Sequence, residues 1–168
     1  MITKTAKLTL ASVFMTGALA ISPAVAPALA ATAVQTVRFS NWATSACLED
    51  TGSDIVTKAC VAYSSTRWNN QIWIIEDSPN GGGRLHLRNW KTGKCLWAEN
   101  TGPNGVRGSS SCGNGTSMDW VVRNNLIEAV SRGYNDLYDQ ASNSDVRIAA
   151  TVNPVNYSRW SQTSASPK

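Results

Sequence analysis

Short runs of alternating apolar and polar residues recur along the chain from about residue 36, and none has the 3.6-residue period of a helix. Residues 37–40 (VRFS) and 85–88 (LHLR) are two examples. Valine, isoleucine, threonine and tryptophan are common in these runs. Glycine, asparagine, serine and proline cluster between them. The pattern predicts many short β-strands joined by tight turns, and therefore an all-β domain.

The runs belong to a longer repeat. Residues 41–48 (NWATSACL) match residues 89–96 (NWKTGKCL) at five of eight positions, 48 residues apart. Trp73 and Trp120 follow in equivalent apolar clusters, and Trp160 marks a weaker third copy, in which Asp136 and Leu137 replace Cys-Leu. Three copies of about 40 residues with four strands each predict a β-trefoil. A β-sandwich does not explain the threefold period, and a propeller normally has more blades.

These patterns set the expected organisation of the chain. We expect a domain at 31–162, repeats at about 36–80, 81–124 and 125–162, and a disordered tail at 163–168. Trp73, Trp120 and Trp160 are expected in the core, and Val146, Ile148 and Val152 are expected to pack the third repeat. Trp42 and Trp90 are expected to cap one end of the barrel. Because Trp68 and Trp97 have no equivalents in the other copies, they are better candidates for function.

The first thirty residues form a separate segment. Lys4 and Lys7 precede an apolar run at 8–21, which is too short to span a bilayer, and small residues with prolines follow. This order predicts a signal peptide at 1–30, cleaved after Ala30 or Ala26, and a secreted protein without a membrane span. Its removal leaves 13 basic and 11 acidic residues, a net charge of +2. These charges are scattered, which argues against nucleic-acid binding.

All four cysteines lie after the signal segment. In an exported chain an even number of cysteines predicts disulfides, and four cysteines allow three pairings. The repeats favour pairing within the first two copies, as Cys47–Cys60 and Cys95–Cys112. The chain has one histidine and no Cys-x-x-Cys motif, so we expect no metal site and no cofactor.

The chain resembles the ricin-type β-trefoil lectin family over about residues 36–162, as a divergent secreted bacterial member. The resemblance rests on the threefold repeat, the cysteine pairs within repeats, the Gly-Lys-Cys-Leu of 93–96 and the Gln-x-Trp of 71–73. Met118 and Ser158 replace the glutamine in the other copies. The chain is also similar to the lectin-like subunits of cytolethal distending toxins. The resemblance implies carbohydrate binding.

The family pattern places an Asp two residues after the first Cys, an aromatic platform shortly before the second Cys and an Asn before Gln-x-Trp. Carboxylates and amides accept hydrogen bonds from sugar hydroxyls, and aromatic rings pack against the apolar face of the sugar. No copy here has the full set, since Lys58 and Ser110 occupy two platform positions. The resemblance therefore implies relocated or weak sites with these candidate residues: Glu49, Asp50, Asn70, Trp97, Asn100, Tyr138 and Asp139.

Catalysis is not expected. His86 is predicted to face away from the core, and the adjacent acids at 49–50 and 76–77 point in opposite directions on a strand. The expected partner is a glycan or a cell-surface polysaccharide. The alternative is a protein-interaction module, either a toxin-type delivery subunit or a secreted inhibitor, with an exposed aromatic patch around Trp90 and Trp97. A purely structural envelope protein would need neither a pocket nor such a patch.

Overall fold

The computed structural model describes residues 34–99, 105–139, 145–149 and 155–168. These ranges contain twelve strands: β1 (Gln35–Asn41), β2 (Ala46–Asp50), β3 (Ile55–Ala59), β4 (Trp73–Asp77), β5 (Leu85–Asn89), β6 (Cys95–Ala98), β7 (Val106–Ser109), β8 (Trp120–Arg123), β9 (Leu126–Ala129), β10 (Asn135–Asp139), β11 (Val146–Ala149) and β12 (Trp160–Ser164). The predicted all-β class is confirmed. The segment predicted as a signal peptide, together with Asn100 and Val152, lies outside the described residues.

All strand pairs are antiparallel. Eight pairs join strands that are consecutive in sequence, namely β1–β2, β2–β3, β4–β5, β5–β6, β6–β7, β8–β9, β9–β10 and β10–β11. β1 pairs with β4 on one side and with β12 on the other, so that the first and last strands are neighbours. One turn of 3-10 helix precedes each of β4, β8 and β12. The first and last strands in sequence are therefore adjacent in the sheet.

Three tryptophans make the same contact in different parts of the sheet. The indole N–H groups of Trp73, Trp120 and Trp160 donate to the main-chain carbonyls of Leu48, Leu96 and Leu137, at 3.1, 2.9 and 2.9 Å. A buried indole needs such an acceptor. All three side chains are at most 2% exposed, so their predicted place in the core is confirmed.

The remaining core follows the alternation of the strands. Val146 and Ile148, predicted to pack the third repeat, are 1% and 0% exposed. Asp136 lies opposite Glu128, as Cys47 lies opposite Ser40. Asp136 and Leu137 therefore have the same position relative to the preceding strand as Cys47 and Leu48.

Two disulfides join Cys47 to Cys60 and Cys95 to Cys112, which confirms the pairing that the repeats favoured. Each closes a short loop, of 13 and 17 residues in sequence separation. The chain-entropy model gives loops of this size about 3 kcal/mol of stabilisation each. The first disulfide holds the loop after β3 against the start of β2, and the second holds the loop after β7 against the start of β6.

The disordered tail expected at 163–168 is a wrong prediction. Thr163 and Ser164 continue β12 and pair with Arg38 and Val37 of β1. The main chain of Ala165 continues the pairing, since its N–H donates to the carbonyl of Thr36 at 3.1 Å. The polar composition of the tail was misleading, because strand pairing uses main-chain groups and does not require apolar side chains.

Candidate functional site

Glu49, the first predicted sugar-binding carboxylate, faces into a hydrogen-bonded network. Its two oxygens accept from Arg67, with Nε at 3.1 Å from Oε1 and Nη2 at 2.6 Å from Oε2. Gln71 also donates to Oε2, at 2.8 Å. The Glu49 side chain is 4% exposed, whereas that of Arg67 is 42% exposed. This position therefore presents guanidinium donors to solvent in place of a carboxylate acceptor.

The same ion pair stabilises the charged form of Arg67. The hydrogen bond from Arg67 to Glu49 raises the pKa of Arg67, and burial offsets part of this rise. Sequence patterns did not indicate this partner of Glu49, because Arg67 lies in the loop between β3 and β4. Gln71 of the Gln-x-Trp motif holds that loop in place: its Oε1 accepts from the main-chain N–H of Val61 at 3.1 Å.

Asp50 is 1% exposed and joins two parts of the sheet. Its carboxylate accepts from the hydroxyl of Thr92, and from the main-chain N–H of Gly52 at 2.7 Å. Asn70, the predicted amide of the same site, donates to the main-chain carbonyl of Asp50 at 2.7 Å. Both predicted residues therefore have internal structural partners.

Asp139 makes the corresponding contact at the other end of the chain. It is fully buried, and its carboxylate accepts from Thr44 at 2.5 Å and from Thr57 at 2.8 Å. Thr44 and Thr92 occupy matching positions in the repeated NW-x-T sequence. The predicted contacts of Asp50 and Asp139 with a sugar have no support in this geometry, since neighbouring strand residues point to opposite faces and both aspartates point inward.

Trp97 and Tyr138 are the candidates that remain accessible. Each follows the Cys-Leu or Asp-Leu pair of its strand by the same spacing as Glu49, and each is half-buried. Trp97 lies directly opposite Arg107 in the β6–β7 hairpin, and Tyr138 lies directly opposite Arg147 in the β10–β11 hairpin. Directly opposed side chains share one face of the sheet. Two hairpins therefore each carry an aromatic residue directly opposite an exposed arginine.

The two arginines line a common depression of about 200 Å³. Its lining also contains the apolar residues Ile55, Val106 and Val146, and acids that include Glu99. Arg107 Nε lies 3.1 Å from Glu99 Oε1 and its side chain is still 64% exposed. Sequence reasoning missed both arginines, although Val-Arg at the start of β7 and of β11 is a recurring signal.

The two tryptophans expected to cap the barrel are largely accessible. Trp42 is 47% exposed and Trp90 is 42% exposed. Trp42 donates from Nε1 to the hydroxyl of Ser161 at 2.8 Å, and the guanidinium of Arg159 lies 5.5 Å from its ring centroid. The exposed rings keep the protein-interaction alternative open.

As predicted, His86 faces away from the core, to which its neighbour Leu87 belongs. The side chain is nevertheless buried. It is 3% exposed, and its Nε2 lies 3.4 Å from Oδ1 of the fully buried Asp119. Ser78 and Asn80 donate to Asp119, at 2.6 and 2.9 Å, so the loop before β5 covers the outer face of the strand. Within the ranges that the structure describes, no group of three potential ligands could hold a metal ion.

Asp136 titrates in an unfavourable environment. Burial raises the pKa of Asp136, a hydrogen bond with Ser158 lowers it, and the opposing Glu128 raises it. Because the pKa of Asp136 is higher in the folded protein than in the unfolded chain, the free energy of unfolding falls as the pH rises from the unfolded-state pKa through the folded-state pKa. We therefore expect Asp136→Asn to melt at a higher temperature than the parent near pH 7, with the two curves converging below about pH 4. Thermal unfolding at several pH values checks this, and a constant difference across pH would contradict it.

No protein-family model and no curated relative matches the sequence. Solved structures do match. The C-half of an earthworm R-type lectin, solved in complex with GalNAc, is 13% identical with a TM-score of 0.61, over 78% of this chain and 99% of that one. The cytolethal distending toxin of Haemophilus ducreyi is 15% identical with a TM-score of 0.59, over 75% and 81% of the two chains. The protein has a β-trefoil fold.

This β-trefoil is the fold that the sequence resemblance implied. It also occurs within longer proteins. An endo-β-galactosidase from Clostridium perfringens that releases GlcNAcα1-4Gal is 16% identical with a TM-score of 0.63, over 79% of this chain. The chain spans 33% of that enzyme. Within the described ranges, this β-trefoil contains no helix with the length and hydrophobicity needed to cross a membrane.

Proposed function

We propose that this protein is a secreted, lectin-like β-trefoil of three repeats of about 40 residues, which binds carbohydrate and catalyses no reaction. The observation that carries the proposal is that Trp97 and Tyr138, which occupy the position that the family pattern assigns to a ligand-binding Asp, lie directly opposite Arg107 and Arg147. The two disulfides support secretion, because such bonds persist in oxidising compartments.

The chemistry of these two positions fits a sugar. An aromatic ring packs against the C–H face of a pyranose, and a guanidinium donates to hydroxyl or carboxylate oxygens. The first repeat contributes differently, because Glu49 is engaged by Arg67 and Gln71. Binding therefore depends on the second and third repeats, and in its polar contacts the protein acts mainly as the hydrogen-bond donor.

We expect Trp97→Ala to weaken binding of its best glycan about tenfold, which corresponds to a loss of about 1.4 kcal/mol when a contacting aromatic ring is removed. The measurement is a glycan array with the chain from residue 31, followed by titration of each hit. Tyr138→Ala tests the third repeat in the same way. Lys91→Ala is the matched control on an exposed turn. No specific glycan from folded, disulfide-bonded protein would refute the proposal.

A protein-interaction role is the second candidate, favoured by the 42% exposure of Trp90 and the partial exposure of Trp97. Exposed aromatic clusters mark interfaces. Trp90→Ala separates the two candidates. If Trp97 binds sugar without Trp90, Trp90→Ala leaves glycan binding unchanged. If both rings form one protein-binding patch, Trp90→Ala and Trp97→Ala each reduce binding of the protein partner.

A further inference from the structure

Trp68 has no equivalent in the other repeats, and it is the centre of a contact between distant segments. The guanidinium carbon of Arg38 lies 5.0 Å from its ring centroid, and Tyr63 packs edge-on at 5.4 Å between centroids. Its indole N–H donates to the main-chain carbonyl of Ser166 at 2.8 Å. We call Arg38, Tyr63, Ser65, Trp68 and Asn69 the Trp68 site.

The loop between β3 and β4, which carries every residue of the Trp68 site except Arg38, is fixed by contacts with the rest of the domain. The disulfide from Cys60 to Cys47 fixes its first residue, and Gln71, fully buried, donates to the carbonyl of Ala59 at 3.0 Å. Between these points Arg67 is bound to Glu49. A loop fixed at both ends and in the middle is preorganised, and this reduces the entropy lost when something binds to it.

Residues 165–168, Ala-Ser-Pro-Lys, lie on this loop as an extended peptide. After Ser166, the main-chain N–H of Lys168 donates to Asn69 Oδ1 at 2.9 Å. The Lys168 ammonium donates to the carbonyl of Ser65 at 2.8 Å and lies 5.3 Å from the ring centroid of Tyr63. The site thus contacts alternate main-chain groups of the peptide and one cationic side chain.

The contacts to that side chain select a cation. A carbonyl oxygen and the face of an aromatic ring both carry partial negative charge, and both attract an ammonium group. The described contacts of the Lys168 ammonium are with a carbonyl oxygen and an aromatic ring, and none is with a carboxylate. An uncharged side chain of similar length would lose both interactions.

We propose that the Trp68 site is a peptide-binding site for an extended, lysine-bearing segment of another protein, and that residues 165–168 occupy it in cis. Two observations carry this: the peptide seated on the loop, and the Tyr63 ring, which remains 56% exposed beside it. A partner peptide gains access when it displaces the segment. The site shares none of the residues proposed to bind carbohydrate in the second and third repeats, so this inference is independent of that function.

The test uses the full chain with Lys168→Ala and the probe peptide acetyl-Ala-Ser-Pro-Lys-amide. Binding is followed by NMR through the indole N–H of Trp68, assigned as the resonance that Trp68→Phe removes. We expect Lys168→Ala to bind the peptide at least about tenfold more tightly than the parent chain, because a tethered competitor acts at a millimolar effective concentration. A peptide with norleucine for lysine is expected to bind at least about tenfold more weakly.

Two controls make the outcome decisive. Lys91→Ala, which removes an exposed lysine elsewhere, should bind the peptide as the parent does. Trp68→Phe in the Lys168→Ala chain, which has no Trp68 indole signal and is therefore titrated by calorimetry beside Lys168→Ala itself, should bind the peptide at least about tenfold more weakly than Lys168→Ala. Unchanged melting temperatures show that the variants are folded. The proposal is overturned if Lys168→Ala shows no saturable shift at millimolar peptide, if it binds no better than the parent, or if lysine and norleucine peptides bind equally.

Discussion

Trp160→Ala is expected to lower the free energy of unfolding by about 3–5 kcal/mol, the range for removal of a large aromatic side chain from a core. The side chain is 2% exposed, and its loss also leaves the carbonyl of Leu137 without its indole donor. Because typical domains are stable by only about 5–15 kcal/mol, this one change removes a large fraction of the total. Urea unfolding followed by circular dichroism measures it.

The control for this prediction is Trp90→Ala, which removes the same side chain from a site that is 42% exposed. We expect it to cost less than about 1 kcal/mol. Similar losses in the two variants would show that Trp160 does not have the core role assigned to it. The third repeat is a sensitive place for the test, since both disulfides lie elsewhere in the chain.

Asp139→Ala is expected to destabilise the protein by about 3 kcal/mol and to leave glycan binding of the folded protein unchanged. The buried carboxylate accepts hydrogen bonds from Thr44 and Thr57, and hydrogen bonds to a charged group contribute about 1.5–3 kcal/mol each. Thermal unfolding and titration of a glycan hit are the two measurements.

Asp54→Ala is the matched control, because this aspartate is exposed on the neighbouring hairpin. It should change stability by less than about 0.5 kcal/mol. If Asp139→Ala instead lost glycan binding at unchanged stability, the original assignment of Asp139 as a sugar ligand would be right and the structural role wrong.

The sequence predicted the β-trefoil because repeated residues of the first two copies perform the same local task in each. Asn41 Oδ1 accepts from the main-chain N–H groups two and three residues later, at 2.9 and 3.2 Å. Asn89 Oδ1 does the same at 3.0 and 3.1 Å. A side chain that builds a turn from its own neighbours leaves a local signature, and this made the period visible.

The candidate site was predicted less well because its geometry depends on distant partners. Nothing near Glu49 in the sequence indicates that Arg67 binds it, since the contact requires the loop before β4 to return over β2. The same holds for Asp139, whose partner Thr44 lies 95 residues away. The spacing of residues along one strand identified Trp97 and Tyr138 as accessible positions. It could not identify Arg107 and Arg147, because their place opposite these residues depends on how two strands pair.

The pairing of β1 with β12 also determines how the β-trefoil responds to tension. Val37 lies opposite Ser164 and Asn41 lies opposite Trp160, so Gln35 and Ser164 stand at the same end of an antiparallel pair. Force applied between these two residues acts across the strands and loads one hydrogen-bonded pair at a time. Pulled from these points the sheet unzips, whereas the same bonds loaded lengthwise would have to break together.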